Sequence, residues 1–178
     1  MTFLAKAALV AAVLVALASG APAQQRREAG AHAHGHGKLD IVIDGDTIQI
    51  GLDAPAHDIL GYEHQPKTKE QAARLDKAVA ALKDAGSIYR LPADAGCTLA
   101  KAEAGLEQPQ DGGGEHADFN ATATFSCTAI ARLGQIDLDF FKAFPGADKL
   151  DITIIGPKGQ ATASASRKSP RVDLGKVK

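Results

Sequence analysis

The chain is poor in the residues that mark several large functional classes. It has two cysteines, one methionine, 4% aromatic residues and a formal charge of −1, and beyond its first two dozen residues no apolar run is long enough to span a bilayer. Near-neutrality, without a basic face interleaved with aromatics, gives no electrostatic warrant for DNA or RNA binding. There is no His-Glu-x-x-His segment, no Gly-x-Ser-x-Gly turn, no phosphate-cradling glycine loop and no cysteine beside a plausible activating base. The recognised hydrolase and nucleotide-binding patterns are therefore missing, and no catalytic residue is assigned.

What is present begins with an export signal. Met1 to Lys6 is short and weakly positive, Ala7 to Ala18 is almost unbroken apolar sequence, and Ala21-Pro22-Ala23 offers small residues at the positions a signal peptidase reads. The apolar run is shorter than the roughly 20 residues of a spanning helix, and polar Gln24-Gln25-Arg26-Arg27 follows at once. A cleavable signal over 1–23 is predicted, then a flexible linker over 24–30, one domain over 31–166 and a solvated tail over 167–178. The exported part, about 150 residues, is the size of one ordinary domain.

Export gives the cysteine pair a meaning. In an oxidising compartment Cys97 and Cys127 are expected to form one disulfide, worth on the order of 3 to 4 kcal/mol through restriction of the unfolded chain. The competing Cys/His metal site needs thiolates that stay reduced outside the cytoplasm.

Three of the six histidines stand at every second position in Ala31-His32-Ala33-His34-Gly35-His36-Gly37. On an extended backbone all three would share one face, about 6 to 7 Å apart. Imidazole is the commonest ligand for divalent transition metals, and the small intervening residues leave room for rings to converge on one ion. The comb runs into Leu39 to Ile43, which with Thr47 to Leu52 alternates apolar and polar residues around Asp44-Gly45-Asp46, a hairpin signal. Those aspartates read as turn chemistry, since the following oxygen ligands of a calcium loop are missing.

Residues 54–66 read as a connection carrying His57 and His64. Thr68 is placed to cap a helix from Lys69 to about Asp84, with Leu75, Val79 and Leu82 at helical spacing and Gly86 beyond its end. Extended segments are predicted at Ser87 to Arg90, Cys97 to Glu103 and Phe119 to Ile130, with a flexible glycine-rich loop before His116. A helical stripe of Ile136, Phe140 and Phe144 follows, then a hairpin of Leu150 to Ile155 with Gln160 to Ser164. The expected fold is a single α+β domain, a largely antiparallel sheet of hairpins with two helices on one face.

The run from His32 through Ile50, with Leu60-Gly61-Tyr62-Glu63-His64-Gln65-Pro66, Cys97-Thr98-Leu99, His116-Ala117-Asp118-Phe119 and Phe140-Phe141-Lys142-Ala143-Phe144-Pro145, resembles the periplasmic zinc-uptake accessory proteins of the ZrgA type. The resemblance covers most of the exported chain. It implies a periplasmic zinc-binding protein that works beside a zinc importer or its solute-binding protein and performs no covalent chemistry. Many such proteins carry a long insert rich in histidine and acidic residues between the first cysteine strand and the next. Here that stretch is short, with His116 alone, which implies one or two bound ions rather than many. His57 stands where the family pattern has an uncharged residue, so it is either an additional ligand or a surface histidine.

Zinc takes four ligands in a tetrahedron, and a protein that must release it can leave one position to a carboxylate or water. The candidates are His32, His34 and His36, joined by His64 and His116 from neighbouring loops, with Glu63 binding directly or orienting a ring. Because coordinating imidazole must be neutral, affinity should fall as pH drops through roughly 6.5. Histidine spacing alone does not select zinc over copper, nickel or cobalt, and a buffer or tolerance protein for one of those metals is the alternative reading. The single methionine disfavours a thioether site for Cu(I). Less favoured classes are a zinc-dependent enzyme using Glu63 as base and an interaction module that holds metal only to stabilise its fold.

Overall fold

The structure, a computed structural model, describes residues 33–108 and 116–178. Its centre is the hairpin predicted from alternation. Strands β1 (His36–Asp44) and β2 (Thr47–Pro55) pair in register from Asp44 opposite Thr47 to Lys38 opposite Asp53. Gly45, at φ +58°, supplies the left-handed position of the turn. The period of two sends Leu39, Ile41, Ile48, Ile50 and Leu52 to the buried face.

On one side of this hairpin β2 pairs antiparallel with β5 (Asp118–Cys127), which pairs with the edge strand β4 (Cys97–Glu107). On the other side β1 pairs in parallel with β7 (Lys149–Gly156), which turns through Pro157-Lys158 into β8 (Gly159–Ser166). The six-stranded order is β4-β5-β2-β1-β7-β8. Every pairing in it is antiparallel except β1 with β7. Cys97 and Cys127 are register partners on β4 and β5 and form the disulfide.

Two short helices and one longer helix lie between β2 and β4. Helix α1 (Ala56–Leu60) falls in the segment read as a connection and ends on Gly61 at φ +80°, whose N–H donates to His57 O. Helix α2 (Lys69–Lys83) starts as the sequence predicts, with Thr68 Oγ1 accepting from Gln71 N at 3.2 Å. It buries Ala78 and Leu82 and packs mainly on β4. Helix α3 (Ala85–Ile88) and strand β3 (Tyr89–Arg90) replace the extended segment expected over 87–90.

Two expectations fail for one reason. The stripe read as a second helix over 136–144 is strand β6 (Gln135–Leu138) followed by one helical turn, α4 (Phe140–Ala143). The residues predicted as a flexible tail contain β9 (Arg171–Asp173) and bury Val172, Leu174 and Val177. Strands β3, β6 and β9 form a second, three-stranded sheet with β6 in the middle. Ile136 and Leu138 alternate with polar, half-buried Gln135 and Asp137 as readily as they fit a helix. The distant β9 decides between the two periods, because it supplies β6 with hydrogen bonds that no local pattern announces.

Candidate metal centre

The comb is not extended at His34-Gly35. A turn at His34-Gly35 precedes β1, with His36 N donating to Ala33 O at 3.1 Å and Gly35 at φ +84°. The two-residue spacing that would align the rings is therefore broken between His34 and His36. His36 is the first residue of β1, on its exposed face opposite Lys149. His32 lies outside the described residues.

The turn carries His34 to Glu63. Its Nε2–H donates to Glu63 Oε1 at 2.9 Å, and His116 Nδ1–H donates to Glu63 Oε2 at 2.5 Å. The donor roles follow from the carboxylate, which only accepts. Three local features bring these residues together. Gly61 ends α1 and releases the chain toward Glu63. Ala56 N donates to Ala117 O at 2.9 Å, tying the start of α1 beside His116. Gly35 is held from both sides, its N–H by the two oxygens of Asp58 at 2.8 and 2.9 Å and its carbonyl by Asp148 N and Lys149 N.

His57 joins from α1. Its ring stacks on that of His34, with centroids 4.3 Å apart and planes 10° from parallel, and its Nδ1 lies 3.7 Å from Asp58 Oδ1. His64 faces elsewhere, its Nδ1–H on Gln65 O at 2.8 Å and its ring stacked on Tyr62. Sequence reasoning ranked His64 above His57 and did not single out Asp58, because nothing in the local pattern shows which residues around a short helix face the turn at Gly35.

Electrostatics favour an ionised carboxylate at the centre. Burial pushes the Glu63 carboxyl up, but hydrogen bonds from His116 and His34, with the charges of those rings, outweigh it and hold the group below the ordinary carboxylate range. The Glu63 side chain is 14% exposed, whereas His34 and His116 are 53% and 67% exposed. The acid is thus sheltered beneath rings that water can reach.

Chemically this is a nitrogen and oxygen donor set of the kind divalent zinc accepts. The contacts are hydrogen bonds, longer than metal bonds, and among the described residues no group of three or more His, Cys, Asp or Glu stands in metal-holding geometry. For Glu63 to serve as a ligand, the shared protons must leave and the rings must shift. If Glu63 keeps its hydrogen bonds, it instead orients imidazoles that coordinate through their other nitrogen.

Residues 31–174 match the family described as ZrgA family zinc uptake protein. The chain belongs to that family. The match begins at the first residue of the comb and takes in Glu63, His116 and both cysteines. The family is defined by zinc uptake and not by a catalytic activity. A comparison with curated proteins finds no match. Among the described residues no helix is long and apolar enough to cross a membrane.

Proposed function

We propose that this chain captures Zn²⁺ in the periplasm and assists a zinc import system, with no covalent chemistry of its own. Export would follow from the signal over 1–23 and leave 24–30 as a linker to the domain. The observation that carries the reading is the convergence of His34 and His116 on the two oxygens of one sheltered carboxylate, Glu63. His34, His116 and Glu63 form the core of the proposed site. His32 and His36, each two positions from His34 in sequence, and His64 complete the set from which other ligands are drawn. Exposed rings suit a carrier, since an ion that must be handed to an importer or its solute-binding protein needs an open way out. The short loop before His116 supports one or two ions per chain.

The test is a competitive-chelator titration of the exported, metal-free protein with Zn²⁺, Cu²⁺, Ni²⁺ and Co²⁺, repeated on His34→Ala, His116→Ala and Glu63→Gln. Stoichiometric zinc binding that each substitution weakens by more than about tenfold, about 1.4 kcal/mol, is the expected result. Zinc binding indifferent to all three substitutions overturns the site. Preference for another metal at biologically available concentrations overturns the uptake role in favour of buffering or tolerance.

A further inference from the structure

Asp58 is the one charged side chain that is buried among the described residues, at 3% exposure. A buried carboxylate costs several kcal/mol unless its oxygens are satisfied, so its partners indicate what the fold gains from it. Both oxygens accept from the same backbone donor, Gly35 N, at 2.8 and 2.9 Å. Gly35 is 23 positions away in the chain and directly follows His34. Gly146 packs closely on the Asp58 backbone, where a side chain would be driven into it. The carboxylate therefore acts on the turn that presents His34.

We propose that Asp58 is the positioning residue of the metal site, fixing His34 over Glu63 through the Gly35 amide; this rests on the zinc-capture reading above. Gly35 is clamped at its N–H by Asp58 and at its carbonyl by Asp148 N and Lys149 N, so both peptide units flanking it are held in the turn. Its left-handed φ of +84° is the conformation the clamp selects, and glycine adopts it without steric cost. Without the carboxylate the N–H is orphaned, and the segment carrying His34 is free to leave Glu63. Asp58 touches no metal in this scheme. It sets where the first imidazole stands.

The experiment compares zinc affinity by chelator competition for the full exported chain, Asp58→Asn and Asp58→Ala, each also in a His34→Ala background, together with amide hydrogen exchange at Gly35 in the metal-free protein. Loss of such a supporting group typically weakens metal binding by about 10- to 100-fold. That loss is expected for Asp58→Ala and a smaller one for Asp58→Asn, which keeps one acceptor oxygen. Most of the loss should vanish when His34 is already alanine, because coupled residues are non-additive. Gly35 should exchange faster in both variants while amides of the β1–β2 hairpin keep their protection. Equal losses in both backgrounds, or zinc affinity in Asp58→Asn unchanged from the parent, overturn the positioning role. If Asp58→Ala fails to fold, the nearly isosteric Asn variant carries the comparison. Absence of stoichiometric zinc binding by the parent chain sinks the capture reading itself, whereas stoichiometric binding that His34→Ala leaves intact, or a weakened His34→Ala with additive Asp58 losses, sinks only this inference.

Discussion

His34 and His57 lie face to face, ring centroids 4.3 Å apart and planes 10° from parallel. One ring comes from the turn before β1 and the other from α1, so the stack joins two elements that meet at the proposed site. It also divides the labour between the two histidines. His34 reaches Glu63, while His57 has Asp58 as a polar neighbour, at 3.7 Å.

From this follows an order of effects. Stacked aromatic pairs are worth about 0.5 to 1.5 kcal/mol, so His57→Ala should weaken zinc binding by roughly a few-fold to tenfold. His34→Ala removes the donor itself and should cost more. Chelator competition on the two variants checks the ranking, and a larger loss for His57→Ala would show that His57 is a principal ligand.

Glu63 gives a pH prediction with a definite sign. Its folded pKa lies below the ordinary value, because hydrogen bonds from His116 and His34 overcome the opposing effect of burial. Such a group stabilises the fold fully above its unfolded pKa, about 4.3, and loses that contribution as pH falls through the lower folded value. Urea midpoints of the metal-free protein, followed from neutral pH into the acid range, should fall more steeply than those of Glu63→Gln. Parallel curves would show that Glu63 is not held by its histidines. Zinc release belongs to a different window, near pH 6.5, where imidazole takes up its proton.

The disulfide closes a loop with a sequence separation of 30 between β4 and β5. Reduction should lower stability by about 3 to 4 kcal/mol on the chain-entropy estimate, seen as a shift in the denaturation midpoint with and without reductant. Zinc affinity should hardly change while the protein stays folded, because neither cysteine touches Glu63 or its histidines. A loss of zinc binding in the folded, reduced protein would contradict the separation of bridge and site.

Residues 171–178 offer a test of the second sheet. Deleting them removes β9 and the buried side chains of Val172, Leu174 and Val177. At about 1.5 to 3 kcal/mol for each buried side chain, the loss should be on the order of 5 kcal/mol. The exposed ion pair of Arg171 with Asp137 adds at most about 1 kcal/mol. Calorimetry of the truncated chain checks this, and an unchanged melting temperature would restore the reading of a solvated tail.

The sequence by itself determined the features whose causes are local. Alternation and Asp44-Gly45-Asp46 specify the β1–β2 hairpin, Thr68 specifies the start of α2, and a lone pair of cysteines points to one bridge. The histidines and the Gly-Tyr-Glu-His-Gln-Pro segment were sufficient to reach the family. Only the tertiary structure decided which histidines meet. Glu63 is 29 positions from His34 and 53 from His116, and the contact depends on a left-handed glycine held by a buried aspartate from another element. The period of two that aligned the comb on paper holds only while the backbone stays extended. Asp58 stops that extension at Gly35, and β9 in the same way turns an apparent helical stripe into strand β6. In both places a hydrogen-bond partner distant in sequence chose between local conformations that the residues themselves allow equally.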